Sequence, residues 1–170
     1  ALLEGEGWVQ TVTQQEMLDV FEGWSPACQA MLECIPEPTR WALHELPELA
    51  HYHRGRVLIV GDAAHALVPH QGAGAGQALE DAYVLATLLT DASCHRDNVS
   101  DVLAAFEQVR RARTCKVQRT SHEAGDVYEY AGVGIGSDES KLIANLENRF
   151  DWLWNHDPHD DVLSARKALG

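Results

Sequence analysis

The sequence predicts an α/β chain that forms only part of a larger parallel-sheet protein. Two observations carry this. Val57 to Val60 reads "VLIV", a continuous apolar, β-branched run that suits a strand buried on both faces. Around it the periodicity gives several helices but at most one or two other strands. A parallel strand cannot stand alone, because its backbone N–H and C=O groups need neighbours. The imbalance therefore predicts a C-terminal piece whose missing strands lie elsewhere.

The elements follow in order. Thr13 to Glu16 reads T-Q-Q-E, a capping box, and Met17, Leu18, Val20, Phe21 and Trp24 continue at helical spacing. Ser25-Pro26 has the form of an N-cap followed by proline at the first helical position, which restarts a helix to about Glu33. Ile35-Pro36-Glu37-Pro38 breaks it, and Thr39 to Leu46 reads as a strand. Gln71 to Leu89 is a long helix with an alanine-rich face. Asp101 to about His122 is a second, with Val102, Phe106 and Val109 on one stripe. Residues 131–140 are a glycine-rich turn. Ser140 to Asn155 is predicted as a third helix, and the residues from Asp157 as a polar tail.

Composition narrows the function. The 170 residues hold 13 Lys and Arg against 26 Asp and Glu, a net charge of −13. That excludes a general nucleic-acid or anionic-membrane binder, which needs clustered cations. No apolar run approaches the roughly 18 residues of a membrane span. The start, ALLEGEGWVQ, does not read as a signal peptide, and four cysteines without CxxC spacing are expected to be reduced thiols, so a cytoplasmic location is expected. His51-Tyr52-His53 and "NHDPHDD" (155–161) lack metal-ligand spacing, and no metal is expected. The stretch "RRARTCKVQR" (110–119) holds five of the 13 cations and no acid. It is expected to pack on the missing half of the protein, with docking of a pyridine nucleotide's phosphates as the rival reading.

The most informative stretch is "VGDAAHALVPHQGAGAGQALEDA", Val60 to Ala82. Asp62 lies just past the carboxyl end of the predicted strand, where open α/β sheets bind ligands. A carboxylate there accepts hydrogen bonds from hydroxyls, although aspartate also caps turns. Gly72, Gly74 and Gly76 remove side chains just before a helix. Backbone N–H groups can then approach a flat or anionic ligand, although a linker or close helix packing needs glycine too. Pro69 stiffens the backbone between acid and loop.

This segment resembles the second FAD-binding motif of the flavin-dependent aromatic hydroxylases: "GDAAH", proline seven residues after the aspartate, a glycine-rich helix start, then "ALEDA". It is closest to the salicylate-hydroxylase-like group. The likeness extends over "TRWALHELPEL", "GRVLIVGDAAHALVPHQGAGAGQALEDAYVLATLL" and "AFEQVRRARTCKVQRTSHEAGDVYEY", about half the chain. The resemblance implies a partial FAD-binding, Rossmann-like domain of the aromatic-hydroxylase type. Residues 1–46 are then a remnant of the substrate domain, 47–125 the C-terminal part of the FAD-binding domain, and 126–170 a C-terminal helical extension. It implies that Asp62 binds the ribityl hydroxyls and that Gly72, Gly74, Ala75 and Gly76 present N–H groups to the flavin's N1–C2=O edge. Pro69 would lie beside the isoalloxazine. A helix N-terminus favours the anionic reduced flavin by roughly 0.3–1 kcal/mol.

His70 is the one candidate acid/base, imidazole being suited to proton transfer near neutrality, against a purely structural role in the loop. The implied activity is NAD(P)H-dependent hydroxylation of a small salicylate-like phenol with O2. The implied partner is the N-terminal half of the same enzyme, which would carry the absent GxGxxG. The rivals are a non-hydroxylating flavoprotein and an inactive fragment acting as a binding module.

Overall fold

The structure, a computed structural model, describes residues 7–170, which divide into two compact units between Leu43 and His44. The residues before Gly7, on which the argument against a signal peptide partly rests, lie outside the described residues.

In the smaller unit, strand β1 (Val9–Thr11) pairs antiparallel with β2 (Thr39–Trp41), Val9 opposite Trp41 and Thr11 opposite Thr39. Helix α1 (Gln14–Val20) begins with the expected capping box: Thr13 Oγ1 accepts from the Glu16 N–H at 3.1 Å, and Glu16 Oε2 accepts from the Thr13 N–H at 2.7 Å. Helix α2 (Pro26–Leu32) starts on Ser25, whose hydroxyl accepts from the Cys28 N–H, with Pro26 at the first position. The Gln14 amide donates to the carbonyls of Glu33 and Ile35 and so ties the two helices together. The predicted strand from Thr39 to Leu46 is shorter than expected. It ends at Trp41, opposite Val9 of β1, its strand partner among the described residues.

The larger unit is mainly helical. Strands β3 (His53–Arg54) and β4 (Val57–Leu58) form a small antiparallel hairpin. Helix α3 (Asp62–His65) and a 3-10 turn (Pro69–Gln71) lead into α4 (Gly74–Leu89). Then come α5 (Val99–Tyr128), α6 (Glu139–Leu146), α7 (Asp151–Trp154) and α8 (Pro158–Leu169). Val84 and Leu88 of α4, Val102, Ala105 and Phe106 of α5, and Val162 and Ala165 of α8 make one core. Ala73, Val117 and Leu153 make a second, with Leu67, Phe150 and Trp152 against it.

Four expectations need correction. The run Val57–Val60 is not a buried parallel strand among the described residues. Only Val57 and Leu58 pair, antiparallel to β3, and Val57 is 69% exposed, because no flanking strand covers it. The second long helix runs further at both ends, Val99 to Tyr128, since its buried stripe continues through Ser121, Ala124, Gly125 and Val127. The predicted helix from Ser140 to Asn155 is two helices, α6 and α7. Between them Arg149 donates to the Thr120 carbonyl of α5 at 3.0 Å, and the bend turns Phe150 and Leu153 into the second core. The predicted polar tail is helix α8. Asp157 caps it by accepting from the His159 N–H at 2.9 Å, Pro158 occupies its first turn, and Val162 and Ala165 are fully buried. No helix among the described residues is long and apolar enough to cross a membrane.

Candidate functional site

The site begins at Gly61. Its φ of +58° and ψ of −143° belong to glycine's range, and this conformation turns the chain sharply from the hairpin into α3. Asp62 is the first residue of α3 and is exposed. His65, at the end of that one-turn helix, is 1% exposed and packs beside the Tyr52 ring, with centroids 5.9 Å apart.

Helix α4 grips this turn. Asp81 Oδ2 accepts from the Gly61 N–H at 3.0 Å and pairs with His65 Nε2 at 2.7 Å. Oδ1 accepts from Arg110 Nε at 2.8 Å. Burial alone would raise the Asp81 carboxyl pKa, but the bonds from His65, Arg110 and Gly61 hold it below the ordinary carboxylate value. The Asp62 turn therefore lies against the first two turns of α4.

Between them runs the loop. Pro69 opens the 3-10 turn, and Gly72 closes it in the left-handed conformation, φ +61°, its N–H donating to the Pro69 carbonyl at 2.9 Å. Helix α5 fastens this stretch from below: Ser121 Oγ donates to the Val68 carbonyl at 2.6 Å, and Gln118 Nε2 to those of Ala66 and Leu46. His70 is half-buried, with its ring against Gly125 of α5.

Helix α4 starts with Ala73 as N-cap, and no side chain caps it. The N–H groups of Gly74, Ala75 and Gly76 thus fall in the first turn, which has no intrahelical acceptors. Ala75 and Gly76 are exposed. Neither Gly74 nor Gly76 has a positive φ, and a Cβ at either would meet no atom within 4 Å. Nothing in their own surroundings demands glycine, although each costs roughly 0.5–1 kcal/mol relative to alanine within a helix. An uncapped sixteen-residue helix with a bare first turn suits the close approach of an electron-rich, flat group.

The basic stretch 110–119 meets partners within the unit, while Lys116 and Arg119 stay exposed. Arg110 is fully buried and donates to Asp81, to Glu80 Oε2 at 2.7 Å, to Asp161 Oδ2 at 2.9 Å and to Gln77 Oε1 at 3.0 Å. Arg113 binds both Glu80 oxygens, Arg119 pairs with Glu48, and Arg111 reaches the Leu49 carbonyl. Lys116 lies over the Trp152 ring, 3.8 Å from its centroid. Three of the five cations thus meet acids on α4, α8 and the segment before β3, while Arg111 meets a carbonyl and Lys116 an indole ring.

Histidines of the two stretches considered for metal, 51–53 and 155–161, meet carboxylates. Glu80, His156 and Asp161 hold ligand-type atoms within 4.8 Å of one another, but Arg110 and Arg113 already donate to those carboxylates, so the cluster is an ion-pair network. His51 and His53 share Glu107, which also accepts from the Tyr52 and His53 N–H groups at 2.6 and 2.8 Å. Burial raises the Glu107 carboxyl, and these donors outweigh it and take the pKa down to about 2. Asp81, Gln77 and Arg110 were not singled out from the sequence. The acidic pair in "ALEDA" is visible there, but its partner arginine lies 29 residues on from Asp81.

Comparison with known proteins gives consistent findings. The family described as FAD binding domain matches residues 29–121. The chain is 55% identical over 163 residues to a salicylate hydroxylase of Pseudomonas putida, covering 96% of this chain and 38% of that protein. It is 36% identical over 154 residues to a 6-methylsalicylate 1-monooxygenase of Aspergillus terreus, covering 91% of this chain and 34% of the relative. A solved salicylate hydroxylase substrate complex superposes with a TM-score of 0.91 at 45% identity, over 97% of this chain and 40% of that one. The chain thus spans well under half the length of the relatives it matches.

Proposed function

The chain belongs to the FAD binding domain family, and from that premise we propose that it is the C-terminal part of an FAD-dependent monooxygenase that hydroxylates a small salicylate-like phenol. Residues 1–46 are read as the end of the substrate domain, 47–125 as the last part of the FAD-binding domain and 126–170 as a helical extension. NAD(P)H is the reductant, O2 the co-substrate, the N-terminal half of the enzyme the partner and the cytoplasm the location.

Bound FAD supplies the redox chemistry, and the protein supplies binding and orientation. The exposed carboxylate of Asp62 accepts hydrogen bonds from the ribityl hydroxyls. The first-turn N–H groups of Gly74, Ala75 and Gly76 donate to the N1–C2=O edge, and the positive end of α4 favours negative charge there. Pro69 and Gly72 set the path of the loop beside the ring. His70 is assigned a structural part, since its ring is engaged against Gly125.

The observation that carries this reading is the bare first turn of α4: two helical glycines that neither backbone angle nor packing requires. In the full-length enzyme, Gly74→Val should leave the fold intact and lower bound flavin several-fold, or shift the flavin's reduction potential. Flavin content and potential equal to wild type would refute the assignment.

A further inference from the structure

We infer that Asp81 is a positioning residue for the flavin site, and that helix α8 at the far end of the chain takes part in the same positioning through Asp161 and Arg110. This rests on the reading of Asp62 as the ribityl ligand.

The inference follows from a continuous run of charge-assisted hydrogen bonds. It starts at the Gly61 N–H, one residue before Asp62, and passes to Asp81 Oδ2 at 3.0 Å. The same carboxylate holds His65 at 2.7 Å, so both ends of the one-turn helix α3 are fixed to one side chain of α4. The run continues from Asp81 Oδ1 to Arg110 at 2.8 Å and from Arg110 to Asp161 at 2.9 Å. It ends at His156, 3.1 Å from Asp161 Oδ2. Asp81 is 2% exposed and Arg110 is not exposed at all, so water does not compete for these bonds.

Gly61 needs such an anchor. Glycine is nearly indifferent between many backbone conformations, so its φ of +58° must be selected from outside. The Asp81 carboxylate selects it, and with it the direction in which the next residue, Asp62, leaves the turn. Arg110 in turn fixes Asp81. Its planar fork serves Asp81, Glu80, Asp161 and Gln77 at once, which a lysine ammonium cannot do in that geometry. Loss of the α8 acid leaves Glu80 as the one carboxylate on Arg110 Nη1, 2.7 Å away, and the guanidinium then settles differently on Asp81. An interaction of this kind reaches the site without touching the cofactor.

The test uses the full-length holoenzyme with four variants: Asp62→Ala, Asp81→Asn, Asp161→Asn and Asp161→Glu. The readouts are the FAD dissociation constant, the visible spectrum of bound flavin and thermal unfolding. An asparagine at 81 must turn its NH2 toward either Gly61 or Arg110, both donors, so Asp81→Asn should weaken FAD binding about tenfold. Asp161→Asn should weaken it about threefold and shift the flavin absorption bands, and Asp161→Glu should restore both.

A merely structural network predicts lower melting temperatures with affinity and spectrum unchanged in the folded protein, and that result would overturn the inference. Should Asp81→Asn fail to fold, the half-buried Asp161 pair decides alone. Unchanged FAD binding in Asp62→Ala would overturn the underlying site reading. Weakened binding in Asp62→Ala with wild-type binding in the Asp81 and Asp161 variants would overturn the positioning network only.

Discussion

The ring of His70 rests on the backbone of Gly125: a Cβ at Gly125 would lie 2.6 Å from His70 Cδ2 and 2.7 Å from Nε2. A glycine in a helix interior normally costs about 1 kcal/mol relative to alanine. Here that cost admits the imidazole between the Pro69–Gln71 turn and α5. Gly125→Ala should therefore destabilise the protein by about 1–3 kcal/mol, the usual cost of overpacking, rather than stabilise it. The double variant His70→Ala with Gly125→Ala should recover most of the loss. Thermal unfolding of the three proteins checks this, and a rise in Tm for Gly125→Ala alone would show that the ring swings aside freely.

Asp62 is exposed, so its removal should spare the fold and cost the ligand. Asp62→Ala should lose about 1.5–3 kcal/mol of FAD binding, roughly ten- to hundredfold, with unfolding stability in the absence of flavin within about 0.5 kcal/mol of wild type. Flavin retained through dialysis at the wild-type level contradicts this.

The loop glycines separate by backbone angle. Gly72 has φ +61°, whereas Gly74 is helical with no positive φ. Gly72→Val should cost about 1–2 kcal/mol or more, Gly72→Asn much less, and Gly74→Ala nothing or a small gain. Urea midpoints at constant slope measure the order, and equal costs at 72 and 74 would refute it.

Acid should loosen the attachment of the 51–53 segment to α5. Glu107 has its carboxyl pKa lowered from 4.5 to about 2 by its four donors. A lowered folded-state value means that its contribution is complete above about pH 4.5 and disappears as the pH falls toward 2. Glu107→Gln should therefore be clearly less stable than wild type at neutral pH, and the difference should shrink between pH 4.5 and 2. A gap that stays constant over that range is the contrary result.

What the sequence made legible was local. The capping box at Thr13 and the Ser25-Pro26 start are one-turn signals, and both elements form there. The loop and helix start around Gly72 to Gly76 were legible because glycine has few uses. Helix α8 was overlooked although Asp157-Pro158 is an N-cap signature and Arg166 and Lys167 suit a last turn. Its five charged or histidine residues among twelve obscured the two small apolar positions, Val162 and Ala165, that dock it. The strand at Val57–Val60 was over-read, because a β-branched run shows propensity while strand length depends on a partner. The arginine network was invisible for a related reason: sequence shows that Arg110 is basic, and only packing brings Asp81 and Asp161 to it.

Helix α5 has a consequence for how this chain can vary. Glu107, Arg110, Thr114, Gln118, Ser121 and Gly125 lie at steps of three or four along its buried side. In turn they meet the 51–53 segment, α4, Tyr52, the Leu46 and Ala66 carbonyls, Val68 and His70. Point changes there disturb one attachment each. An in-frame insertion of a single residue near Thr114 would rotate everything beyond it by about 100° and slide it 1.5 Å. Half of those attachments would then face solvent together. The helix works as a ruler with marks cut for separate segments, so its length between Glu107 and Gly125 is as strongly constrained as any side chain on it.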